Sequence, residues 1–576
     1  MKPDIALRII LTIAGAVAGL SGWLIVDYLP DYLQGHERLV LSIATFLGLF
    51  FAIFLVATGP LRPFAAVLAA LIVAVPATIL LVTASWSYDN PFDYLETGLP
   101  LVALLIGTGI AVPFTITTLS NRGTWSDYPT LFTEAWNIFT RATAALVFTG
   151  IVWAVILMSD QLLRLVGLSM IGDLLKYDAV PALLTGAALG LALAVVHELS
   201  AYVTPYLILR LLRLLLPLVL VVSLIFLIAL PIRGLNGLFG NFSSAFVLMS
   251  IAFGALTLVT VALDQRDEDG VDVRWMQLAT RALALLVPAL AAMAVYAVAL
   301  RVANYGWTPE RLAAMSAALV LLGYGLAYGV AVVRGARWMY LIRRANVWMA
   351  LATLGLAALW LTPLLNAERI SVNSQLARLE SGAVPVAAFD LWPVGRAWGR
   401  ASTLAVARMK EMNLPEQATL DTRLVALEKA TYRFDFENGA YQPPTFGVAE
   451  ARATLAKLTV LPAGESLPFS FEVQPELLRR ISAGCANIIS GQPGCLAIVG
   501  DFLTDQAGPE VMFAYFEYGY SGQVSLAYQS PAGLMFTDIG SVEETDFLRL
   551  RAGDYTIAPP AIQTLTTGNV TLTPRP

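Results

Sequence analysis

Cys485 and Cys495 are the only two cysteines in 576 residues, and they stand together in ISAGCANIISGQPGCLAIVGDFLTDQAGPEV, residues 481–511. That spacing suits a disulfide, half of a metal site, or two free thiols. A structural zinc site takes four ligands, and the only histidines, His36 and His197, are far away in sequence. Gly491, Pro493 and Gly494 favour the tight turn of a short closed loop, so a Cys485–Cys495 disulfide is expected. The acids that follow, Asp501, Asp505 and Glu510, raise a second chemistry. A calcium loop needs oxygen ligands at alternating positions and a glycine for its sharp turn. Asp501 and Asp505 fit, but Leu503 cannot ligate and Gln506 takes the place of the glycine. The expected form is a solvated hairpin turn.

Other ionisable residues border apolar stretches. His197 and Glu198, in LAVVHELSAY, suit a proton relay or an interfacial anchor, and Asp160 poses the same choice. The anchor is the expectation for all three. Asp27 and Asp31, with Glu37 close by, resemble the outer-loop acids that membrane glycosyltransferases use on lipid-linked sugars. The Asp-x-x-x-Asp spacing is common, however, and charges also mark helix ends. The sequence contains no Walker motif, no nucleotide fingerprint and no Ser-His-Asp set able to meet on one side. No catalytic residue, cofactor or metal ligand is therefore assigned.

The surrounding elements decide what these residues can do. Hydrophobic residues make up 57% of the chain and charged residues 13%, against about 25% charged in soluble domains. This is the composition of a polytopic membrane protein, and no basic stripe with stacking aromatics points to nucleic acid. A bilayer requires about 20 apolar residues per spanning helix. That rule predicts eleven spans, near 7–27, 39–58, 63–84, 99–118, 142–158, 179–197, 212–231, 244–264, 282–301, 310–333 and 346–363. The first is read as an uncleaved helix, because its apolar run exceeds a signal core.

With the N-terminus in the cytoplasm, the inner segments hold 14 Lys and Arg, among them Arg8, Arg62, Arg141, Arg213 and Arg343. The outer loops hold six: Arg38, Arg164, Lys176, Arg233, Arg301 and Arg311. The bias of basic residues toward the cytoplasm supports this orientation, which places the C-terminal region outside, in an oxidising compartment where paired cysteines form disulfides. None of the eleven spans carries Asp, Glu, Lys or His at mid-depth, which argues against ion-coupled transport. Pro76, Pro113, Pro217 and Pro288 fall inside spans as kinks or as breaks in discontinuous helices. Gly15 with Gly19, Gly186 with Gly190, and Gly325 with Gly329 are small-residue pairs suited to close packing within the chain. DYPTLFTEAWNIFTR reads as an interfacial helix in a cytoplasmic loop.

The expected architecture is a helical bundle over 1–363, a helical juxtamembrane segment over 364–460 and a small α+β domain over 461–576. Residues 369–411 read as two short helices joined around Gly382–Pro385, with further helices at 420–433 and 446–458. CLAIVGDF, EVMFAYFEYG, GQVSLAYQS and GLMFTDIG alternate as four strands of a mostly antiparallel sheet. LTTGNVTLTPRP would add an edge strand.

Three segments in order carry a family resemblance: VANYGWTPERLAAM, then RISVNSQLARLESGAVPVAAFDLWPVGRAWGRASTLAVARMKE, then the cysteine-to-acid stretch. Together they resemble the bacterial domain-of-unknown-function 4153 family. The resemblance implies a multi-span inner-membrane protein with an extracytoplasmic C-terminal region and no established reaction. Relatives often carry a DLDGDGxxEV-like motif after the second cysteine. Here DFLTDQAGPEV is one residue longer and lacks the acidic third position and the central glycine.

The leading functional expectation is non-catalytic: an envelope protein whose outer domain binds or senses a ligand or protein partner, anchored in the lipid bilayer. A transporter or channel for a small or lipid-like solute is one alternative. The other is a lipid-linked transferase, which would require Asp27, Asp31 or the acids from Asp89 to Glu96 to converge on a cleft.

Overall fold

A computed structural model of the chain describes residues 3–120, 124–199, 206–239, 244–335, 337–438, 453, 456–469, 475–503, 508–516, 522–530, 533–558, 565–567 and 570–572. The chain forms two compact units, Met1–Glu428 and Lys429–Pro576. Residues 364–428 thus belong with the helical bundle.

The first unit is helical throughout. In chain order its helices are α1 (Pro3–Asp27), α2 (Leu29–Tyr32), α3 (Glu37–Ala57), α4 (Pro63–Ala84), α5 (Pro91–Glu96), α6 (Leu99–Leu119), α7 (Tyr128–Leu165), α8 (Met170–Leu175) and α9 (Ala179–Glu198). They continue as α10 (Tyr206–Phe239), α11 (Ser244–Leu263), α12 (Arg274–Tyr305), α13 (Pro309–Val333), α14 (Trp338–Trp360), α15 (Ala367–Glu380), α16 (Gly399–Lys410) and α17 (Gln417–Lys429). Among the described residues ten helices are long and apolar enough to cross a membrane: α1, α3, α4, α6, α7 and α9 to α13. The chain is a multi-pass membrane protein. The eleventh expected span falls in α14, whose second turn holds Arg343 and Arg344 and which is not among the ten. Arg343 is buried and donates to the Leu263 and Asp264 carbonyls and to Asp267.

Local chemistry explains several helix contacts. The glycines of α1 and α9 bring the two backbones together: a Cβ on Gly15 would lie 2.1 Å from the Gly186 carbonyl oxygen, and one on Gly190 2.0 Å from that of Leu11. Gly325 packs on Pro288 of α12 in the same way. These small-residue pairs are consumed inside the chain. All four span prolines lie within unbroken helices, Pro76 in α4, Pro113 in α6, Pro217 in α10 and Pro288 in α12, so none marks a discontinuous helix. DYPTLFTEAWNIFTR is not a separate interfacial helix. Asp127 caps α7 by accepting from Thr130 N, and the helix then runs 38 residues without a break. At 1.5 Å per residue it is about 57 Å long, well beyond the roughly 30 Å hydrocarbon core. Leu131, Phe132, Glu134 and Arg141 on its first half are buried by protein.

The second unit adds α18 (Arg433–Asn438), β1 (Thr459–Leu461), α19 (Pro475–Ala486), β2 (Ile488–Ile489), β3 (Gln492–Pro493) and β4 (Cys495–Gly500). After these come β5 (Glu510–Tyr515), β6 (Gly522–Ser530), β7 (Gly533–Val542), α20 (Glu544–Arg551), β8 (Leu565–Thr567) and β9 (Val570–Leu572). A five-stranded sheet has the order β1-β4-β5-β6-β7. The four expected strands pair antiparallel, and β1 joins β4 in parallel. β4 reads CLAIV without alternation because both of its faces are covered. Cys495, Ala497 and Val499 pack with Leu477, Leu478 and Ile481 of α19, and Leu496 and Ile498 share a cluster with Phe547 of α20. The tail does not extend this sheet: β8 and β9 form a two-stranded sheet of their own. The expected helix at 446–458 lies mostly outside the described residues.

Candidate functional site

At the C-terminal ends of α4 and α14 the bundle opens into a cleft of about 270 Å³. Its walls come from four places: the end of α4 with the loop behind it (Thr83, Trp86, Ser87), α5 (Tyr94), the α14–α15 connection (Trp360, Thr362, Glu368, Arg369) and α16 with the residue before it (Trp398, Arg400). Each wall has a local cause. Asn90 caps α5 by accepting from Phe92 N, and Asn366 caps α15 by accepting from Arg369 N at 2.7 Å. Arg38 holds the loop by donating to the Tyr88 and Asp89 carbonyls, with its guanidinium over the Trp86 ring. Gly399 lets α16 approach: a Cβ there would sit 2.6 Å from the Ser87 carbonyl oxygen and 2.8 Å from the Tyr88 ring.

Glu368 is the unusual residue. It occupies the first turn of α15, where a carboxylate ordinarily meets water and the helix dipole, yet it is only 8% exposed. Burial pushes its pKa up, and the exposed Glu310 carboxylate adds to the shift, against hydrogen bonds from the backbone and Tyr88. The Tyr88 and Tyr94 phenols are likewise pushed up by burial. Tyr88 Oη donates to the Ala397 carbonyl at 3.2 Å. Two guanidiniums border the Glu368 carboxyl. Arg400 donates Nε to Asp89 at 3.0 Å, and Arg369 is exposed. The site is thus an aromatic cleft with a protonatable acid inside and two cations at its border.

The residues singled out from sequence go elsewhere. Asp27 and Asp31 are exposed and do not line the cleft. Asp89 reaches it only through Arg400, and Asp93 and Glu96 are exposed. No convergence of outer-loop acids is present among the described residues. Asp160 is buried and accepts from Arg164 Nε at 2.8 Å. His197 and Glu198 lie at the opposite end of the bundle. Glu198 accepts Arg8 Nε at 2.8 Å, and His197 Nδ1 stands 3.5 Å from Arg141 Nη1 with its ring against Gly59. In the second unit, Cys485 and Cys495 are joined by a disulfide. Glu510 is buried and accepts from Phe502 N at 2.7 Å and Leu503 N at 3.1 Å, closing the turn after β4. Asp501 is exposed, and Asp505 lies outside the described residues. Among the described residues no three His, Cys, Asp or Glu side chains gather as a metal site would require.

Sequence reasoning missed Glu368, Tyr88 and Tyr94. The available signal was the aromatic run SWSYDNPFDYLET before a span and an asparagine cap two residues before Glu368.

Fold and site together define a multi-pass helical membrane protein with an α+β C-terminal domain and an aromatic, partly charged cleft at one end of its bundle. The family described as "Domain of unknown function (DUF4153)" matches residues 43–399, and the chain belongs to that family. The match includes the cleft up to Gly399 and stops before the cysteine-to-acid stretch at 481–511. No curated protein and no solved structure matches the chain.

Proposed function

We propose that this is a bacterial inner-membrane protein, N-terminus in the cytoplasm, that binds a ligand non-catalytically in the Glu368 cleft on the extracytoplasmic side. The cleft carries the reading. It combines a concave, largely apolar wall with a few polar groups aimed inward and one perturbed carboxyl, the features of a ligand pocket. Basic residues favour the opposite end of the spans, and the Cys485–Cys495 disulfide agrees with an oxidising compartment for the second unit. This moves the binding role from the C-terminal domain to the bundle. Lipid-linked transfer loses support because Asp27 and Asp31 stand apart from the cleft.

The test is native mass spectrometry of the full chain extracted from its host membrane, compared with Ser87→Trp and Thr362→Trp, which fill the cleft from two walls. A bound species present in the wild type and lost in both variants, at unchanged melting temperature, is expected. Retention in both variants would remove the cleft as the binding site.

A further inference from the structure

We infer that the ligand is a phosphate-bearing membrane lipid, with an acyl chain between α4, α6 and α14 and its headgroup in the cleft. This rests on the cleft being a binding site and names what fills it.

A second hollow, of about 170 Å³, lies directly along the same helices. It is lined by Val73, Pro76, Ala77 and Leu80 of α4, by Ala103, Gly107, Thr108 and Ala111 of α6, and by Leu354, Ala357 and Ala358 of α14, with Leu361 just beyond. Its lining is almost wholly apolar. Its two hydroxyls are already satisfied, since Thr108 donates to Leu104 O and Thr115 to Ala111 O. Such a hollow offers water no partners and suits hydrocarbon.

Small side chains and a proline make it. Pro76 lacks the N–H that would continue the helix ladder and favours a bend at that point. Gly107, Ala77, Ala103 and Ala357 leave the side-chain volume empty; a Cβ on Gly107 would only just reach Ala357 Cβ, at 3.6 Å. The hollow opens sideways. Ile72 on its border is 48% exposed, as are the neighbouring faces of α4 and α6 that meet the surrounding bilayer. The occupant available at that depth is a lipid tail.

The hollow and the cleft are neighbours along the same helices. Leu80 lines the hollow, and one turn later Thr83 and Ala84 line the cleft; at the end of α14, Trp360 lines the cleft and Leu361, just beyond the helix, lines the hollow. Leu80, Ala84, Tyr94, Ala103, Trp360 and Leu361 form one hydrophobic cluster spanning both. An apolar slot thus lies beside a largely apolar cleft whose border carries Arg369 and Arg400, the latter with its Nε on Asp89, and whose wall includes Trp86 and Trp360. Guanidinium forks match phosphate oxygens.

The experiment uses the full chain in nanodiscs of mixed phosphatidylglycerol and phosphatidylethanolamine, doped with a phosphatidylglycerol carrying a photoreactive diazirine in its acyl chain. Labelled residues are mapped by peptide mass spectrometry in the wild type, in Ala77→Phe and Ala358→Phe, and in the Arg369→Gln/Arg400→Gln pair. Label is expected to concentrate on α4, α6 and α14 and to vanish from them in the two slot-filling variants. The arginine pair should lose about tenfold of it, the scale of a lost charge-assisted contact. Label on exposed residues of α7, such as Ile151, serves as the background of ordinary lipid contact and should not change. Label spread evenly over the exposed faces of all spans would overturn the lipid assignment. If the slot-filling variants still carry the species that Ser87→Trp and Thr362→Trp lose, the cleft binds something other than a seated lipid. If none of the four variants loses it, both readings fall.

Discussion

At the scale of single residues, Glu368 is the most informative group, and its behaviour has a definite sign. Its pKa in the folded chain is raised, chiefly by burial. An unfolded glutamate ionises near about 4.3. The stability contributed by the neutral acid is therefore complete below that value and is lost as pH rises through the folded value. Glu368→Gln keeps the shape and removes the titration. As pH rises above about 4.3 the wild-type melting temperature in detergent should fall more than that of the variant. Parallel curves would show that Glu368 is already ionised in its cleft. Nothing at position 368 in the sequence announces this, because an acid in the first helical turn is what any solvated helix offers. Its hydrogen-bond partner Tyr88 and its neighbour Tyr94 stand nearly three hundred positions earlier. By contrast, the disulfide was legible, since its two cysteines have no other candidate partner.

At the scale of elements, the α1–α9 pair rests on backbone contact rather than on interlocking side chains. Gly15, Gly19, Gly186 and Gly190 could each be replaced only by moving a helix. Gly186→Leu should destabilise the chain by more than about 1–3 kcal/mol, the usual cost of overpacking, as read by thermal melting in detergent. Gly22→Leu on the same α1 should be silent, because nothing lies within 4 Å of its would-be side chain. Equal effects at both positions would mean the two helices do not meet as described. The spans, the small-residue pairs and the strands β4 to β7 were readable because each is a local pattern of apolar runs, spacings or alternation. β1 was not: three residues, TVL, become a strand only by pairing in parallel with Leu496 to Ile498. The resemblance segments VANYGWTPERLAAM and RISVNSQLARLE also gain a physical meaning. Ser374, Gln375 and Arg378 of α15 hydrogen-bond the backbone of residues 303–307, so the two segments are one tied corner of the bundle.

At the scale of the whole molecule, the account turns on which side of the membrane the cleft faces. α4 runs from the His197 end, beside Gly59, to the cleft, about 33 Å away at 1.5 Å per residue. The two ends differ in chemistry. One holds Arg8, paired with Glu198, and the buried or paired Arg141, Arg213 and Arg343; the other holds tryptophans, tyrosines and Glu368 beside Arg38, Arg369 and Arg400. Whether α14 crosses the bilayer sets the parity of the chain, and the charge of its Arg343 is taken up by protein carbonyls.

The most direct measurement is thiol labelling of intact cells with a membrane-impermeant reagent. It is made on the native chain before and after reduction, and on Asp93→Cys in a Cys485→Ser/Cys495→Ser background. Asp93 is an exposed residue of α5, the helix that supplies Tyr94 to the cleft. The account predicts that Asp93→Cys labels without permeabilisation and that the native chain labels only after reduction. Labelling of either chain only once the membrane is permeabilised would place that region in the cytoplasm and contradict the account.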